Sequence, residues 1–87
     1  MKKQREKGAD FLIDRIVSLI KELRPYEDIL HETELIESGI LDSLAVFNLV
    51  SLLEDEFEIN IPDDAISANN FRTVNSISDI IISSRKQ

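Results

Sequence analysis

The stretch "DSLAVFNLVSLLEDEFE", residues 42–58, constrains this chain more than any other. Leu44, Val46, Phe47, Leu49, Val50, Leu53 and Phe57 recur at the spacing that builds one wide apolar face of an α-helix. Asn48, Ser51, Asp55 and Glu58 leave only a narrow polar stripe. A helix this apolar either lies at the centre of a bundle or keeps part of its face for a partner.

Two more segments carry the same period. In "DFLIDRIVSLIKEL", Leu12, Ile13, Ile16, Val17, Ile20 and Leu23 predict an amphipathic helix, with Asp10 as its cap and Pro25 as its stop. In "TVNSISDIIISS", Thr73 caps a last helix whose Val74, Ile77, Ile80 and Ile81 face inward. Its β-branched run could also be a strand, but a lone strand would have no partner here. "INIPDDAISANNF" is irregular, with at most a short helical turn near Asp63 to Ser67 after Pro62. Residues 24–41 form a long connection, and Leu30, Leu35, Ile36 and Ile40 are its expected anchors. Gly39, one of two glycines, suits a backbone position that other residues avoid.

These elements predict an all-α fold, a small four-helix bundle of three main helices and one short one, with a long first loop. At 87 residues the chain makes one domain, expected over 9–84, with a flexible tail at 1–8 and a short one at 85–87. No apolar run reaches a membrane span and no signal-peptide pattern opens the sequence, so a soluble, cytoplasmic, monomeric protein without membrane insertion is expected.

Charge narrows the partners. The formal net charge is −7, yet residues 1–8 hold four cations against Glu6, which leaves −10 on the rest. Between Pro25 and Phe71 there is no Lys or Arg and there are twelve acids. Such a field repels nucleic acid and attracts basic partners, although an acidic surface also serves solubility alone.

Catalytic chemistry is missing. There is no cysteine, and His31 is the sole histidine, so neither a thiolate nucleophile nor a zinc set is available. No serine sits in G-x-S-x-G beside a base. No calcium loop, P-loop or dinucleotide fingerprint occurs. Tyr26 and His31 read as surface or loop-packing residues, and Phe47, Phe57 and Phe71 as core. The chain is expected to be no enzyme and to hold no metal.

Asp42-Ser43 remains. Asp42 is the better helix cap, at about 1 kcal/mol, which leaves Ser43 in the first turn with its hydroxyl outward. A helix N-terminus favours an attached phosphate, so a phosphodiester on Ser43 is tolerated there. The residues alone go no further.

"ELIESGILDSLAVFNLVSLLEDEFEINIP", followed by "NNFRTVNSI", resembles the acyl carrier protein family, with its peptidyl and D-alanyl carriers. The resemblance runs from about Phe11 to Ser83. It implies that Ser43 bears 4′-phosphopantetheine, transferred from coenzyme A by a separate phosphopantetheinyl transferase. The thiol of that arm would hold an acyl or aminoacyl group as a thioester, and the protein would supply only placement. Asp42 would help the transferase and its metal engage the site, and Leu44 would begin the docking helix. The implied partners also include a loading ligase or transferase and downstream biosynthetic enzymes.

One departure stands out. Fatty-acid carriers usually place acids in the two turns after the serine, but here Leu44 to Leu49 carries no charge. Ala45, Val46 and Leu49, if exposed, would dock partners by apolar contact, with Glu54 as the first acid of that surface. That points to a dedicated fatty-acid- or polyketide-type carrier. "ESGILDSLA" also resembles the D-alanyl carrier of teichoic-acid modification, which keeps aminoacyl carriers, including those of nonribosomal peptide chemistry, as the alternative. A more distant alternative is an acidic helical interaction module that is never modified.

Overall fold

The computed structural model describes residues 7–85, with side chains from residue 11 onward. Three α-helices follow in order: α1 (Lys7–Leu23), α2 (Ser43–Phe57) and α3 (Val74–Arg85). A single 3-10 turn, Asp63–Ala65, stands where a short fourth helix is expected. No strand occurs among the described residues, and "IIIS" lies within α3.

Two of the helix starts have a local cause. Asp42 has extended backbone, and its carboxylate accepts the amide of Ala45, which opens α2. Thr73 Oγ1 accepts the amide of Ser76 at 3.1 Å and opens α3. Asp10 is not the cap of α1, because the helix already runs from Lys7. First-turn amides that meet water need no side-chain cap, so a helix can start upstream of a good one. Of the tail expected at 1–8, residues 1–6 lie outside the described residues, and Lys7 and Gly8 are helical. Arg24 donates its amide to Ile20 O at 2.9 Å, and Pro25 then stops α1.

The helix at the centre is α1, which packs against both α2 and α3. Its Leu12, Ile16, Leu19 and Ile20 are buried with Leu49 and Leu53 of α2 and Val74, Ile77 and Ile81 of α3. Arg15 Nε donates to Glu56 Oε2 at 2.7 Å and ties α1 to the end of α2. The central place is thus taken, and α2 keeps part of its apolar face open. Leu44 is 69% exposed and Phe47 60%. The core reading therefore holds for Phe71, which is fully buried, and fails for Phe47.

The connection of 24–42 is packed as well as long. Leu35, Ile40 and Leu41 are buried. Leu30 is not the expected anchor: it is exposed, and its neighbour Ile29 is buried instead. Thr33 accounts for this, because its hydroxyl accepts the Leu30 amide and its own amide bonds Leu30 O, which closes an outward turn. Its middle is tied to the segment just before α3, where Leu35 donates to Arg72 O at 2.8 Å and Arg72 pairs with Glu34.

Candidate functional site

The site forms where this connection enters α2. Leu41 donates its amide to Leu35 O at 2.9 Å, and Gly39 to Ile36 O at 3.0 Å, so residues 35–41 make a closed turn. Gly39 has φ +84°, and a Cβ there would meet nothing within 4 Å. Glycine is needed for its backbone angle and not for space.

The turn delivers Asp42 to the end of α2. Asp42 Oδ1 accepts from Ala45 N at 2.9 Å, and Asp42 O accepts from Val46 N at 2.9 Å. Ser43 is the first helical residue and is exposed. The amides of Ser43 and Leu44 precede the first intrahelical bond and stand at the positive end of the helix dipole. No acidic residue occupies that first turn. The exposed hydroxyl is therefore free of a neighbouring carboxylate within its own helix turn, save for the cap.

An open groove of about 460 Å³ runs beside Ser43. Ile36, Leu41, Val46, Phe47 and Ile66 supply its apolar wall. A larger groove, about 830 Å³ and lined mostly by polar residues between the 3-10 turn and α3, shares no residue with it.

The expected docking residues are corrected by burial. Ala45 and Leu49 are 4% and 0% exposed, and Val46 is buried as well. They face the core because α1 packs on that side of α2. Glu54 is also engaged within the chain: its Oε2 accepts the Ile61 amide at 2.9 Å, which fastens the irregular segment after α2. The outward apolar residues of this part of α2 are Leu44 and Phe47, one turn apart and directly after Ser43.

Arg24 was not signalled by the sequence. Its Nε donates to Ile40 O at 2.9 Å and its Nη1 to Leu23 O at 3.1 Å. Its Nη2 lies 3.9 Å from Asp42 Oδ2. The only available hint was that Arg24 is the last cation before the long stretch without any.

The family model described as the phosphopantetheine attachment site matches residues 13–81. That is most of the chain, and the protein belongs to this family. It is a carrier protein with covalently attached 4′-phosphopantetheine as its prosthetic group. No solved structure gives a significant match. The structure suits the group: an exposed serine hydroxyl, first-turn amides able to face a phosphate, and an apolar-walled groove alongside. The group supplies the thiol that this cysteine-free chain lacks. Domains of this family generally carry and do not catalyse, and they work with phosphopantetheinyl transferases and biosynthetic enzymes. Among the described residues there is no metal-binding cluster, and no helix is long and apolar enough to cross a membrane.

Proposed function

We propose that Ser43 is the attachment residue and that the arm holds an acyl or aminoacyl thioester for partner enzymes of a dedicated biosynthetic pathway. The observation that carries this reading is the exposure of Ser43 as the first residue of α2, with the cap duty taken by Asp42. In the loading step the Ser43 oxygen forms a bond to the β-phosphorus of coenzyme A and loses its proton. The bond from that phosphorus to the nucleotide bisphosphate breaks, and the bisphosphate leaves.

Asp42 holds the helix end in place and offers its second carboxylate oxygen near Ser43, where the transferase and its metal engage. Leu44 and Phe47 form the docking patch. Partners that grip it do so by apolar contact, because no acid lies in the first turn of α2. The acids downstream, from Glu54, steer basic partners at longer range. The carrier domain covers 9–84. A fatty-acid- or polyketide-type cargo is the leading choice and an aminoacyl cargo such as D-alanine the next, since the segment before Ser43 suits either.

The test is intact mass after incubation of the unmodified protein with coenzyme A and a broad-specificity phosphopantetheinyl transferase. One arm gained by the wild type and none by Ser43→Ala is the expected result. No gain by the folded wild type, with the transferase active on another carrier, would leave Ser43 a helix residue of an unmodified interaction module.

A further inference from the structure

We infer that Arg24 is a positioning residue for the loading of Ser43, an inference that rests on the assignment of Ser43 above. The side chain spans 16 residues of sequence to reach the Ile40 carbonyl. That carbonyl belongs to the turn that feeds Asp42 into the helix. The same guanidinium faces the Asp42 oxygen that the cap leaves over, while the other oxygen binds Ala45 N. Asp42 is thus bonded by its own helix on one side and faces the Arg24 guanidinium, anchored on Ile40 O, on the other.

A plainer role is available. Arg24 Nη1 binds Leu23 O, one of the last carbonyls of α1, and a cation there also suits the helix dipole. That role explains one of three contacts and not the two directed at the α2 entrance. Nor does the Asp42 contact explain itself as stability, since Asp42 is 67% exposed and the gap of 3.9 Å is wide. Exposed pairs of this kind contribute little to folding. What the arrangement does supply is direction. The planar fork fixes the Ile40 carbonyl and the Asp42 carboxylate relative to each other, and Ser43 follows one residue later. Without that support the Asp42 cap on Ala45 loosens, and the oxygen that faces the transferase gains freedom.

Arg24→Met keeps the packed stem and removes the fork, and Arg24→Lys keeps the charge without the planar geometry. Steady-state loading by a phosphopantetheinyl transferase with coenzyme A is compared with amide hydrogen exchange on the same proteins. For Arg24→Met, kcat falls about tenfold while KM stays within about twofold, the pattern of lost orientation and not of lost docking. Arg24→Lys recovers part of the loss. Exchange quickens at the Ala45 amide and stays unchanged at Leu53. Loading of Arg24→Met at the wild-type kcat overturns the inference, and so does faster exchange confined to the end of α1. If the wild type gains no mass, the Ser43 assignment fails and this inference with it. A wild type that loads beside an unaffected Arg24→Met removes this inference alone.

Discussion

Asp42 Oδ1 accepts a hydrogen bond from the Ala45 amide at 2.9 Å, three residues on, and this bond leaves Ser43 exposed as the first residue of α2. On the proposed assignment of Ser43, cap and cargo duties fall to adjacent residues. Asp42→Ala should cost about 1 kcal/mol of stability, the usual worth of such a cap. For a domain of this size that lowers Tm by roughly 4–8 °C. Asp42→Asn caps nearly as well and should keep Tm, yet it loses the carboxylate charge beside Ser43. Loading of Asp42→Asn by the transferase should therefore slow without loss of stability. Calorimetry and a loading assay on the two variants separate the roles.

Leu44 and Phe47 face water, and Leu49 faces the core. Leu44→Glu and Phe47→Glu should leave Tm within a few degrees and cut kcat/KM for the enzyme that loads the arm with its cargo. Leu49→Ala should instead cost about 2–5 kcal/mol, because it opens a cavity among fully buried side chains. Denaturant titration of these variants beside the loading rate checks the division. Docking through Ala45, Val46 and Leu49 would show the opposite pattern.

Among the described residues, two positions hold left-handed backbone with opposite side-chain suitability: Gly39 at φ +84° and Glu58 at φ +54°. Gly39→Ala should destabilise by about 1–2 kcal/mol although space for the methyl is open. Glu58 ends α2, with its amide on Glu54 O, the place where glycine is usual. Glu58→Gly should raise stability by up to about 1 kcal/mol. Urea midpoints of both variants test the pair of signs.

The Arg15–Glu56 contact joins α1 to α2. The hydrogen bond from Arg15 holds the Glu56 carboxyl below its ordinary value of 4.5, helped by the charge of Arg15 and opposed by desolvation. A carboxyl with a lowered folded pKa stabilises the fold above its unfolded value, and that contribution disappears as the pH falls through the folded one. Wild type should therefore melt above Glu56→Gln at pH 7, and the gap should close as the pH falls below the usual carboxylate range. A gap that persists in acid would mean the carboxylate charge is not the cause. High salt should shrink it at pH 7, since the pair is solvent-accessible.

The helices were legible because their causes are local. Apolar spacing in α2, the cap of Asp42 on Ala45 and the cap of Thr73 on Ser76 all act within a turn, so neighbouring letters carry them. The stretch around Asp42-Ser43 stands out for the same reason, and it lies within the residues that the family model matches. The sequence by itself thus determined the fold class, the cofactor and the neighbourhood of Ser43.

Tertiary packing decided the rest. Val46 and Phe47 are adjacent and both apolar, yet one is buried and one open, because α1 covers only one side of α2. Ile29 and Leu30 exchange places for a similar reason: a loop has no period, and a threonine turn set which of them points in. The reach of Arg24 to Ile40 and Asp42 depends on how the connection folds back on the end of α1. Exposure and long-range contact are set by what else competes for the same core, and no stretch of neighbouring residues contains that information.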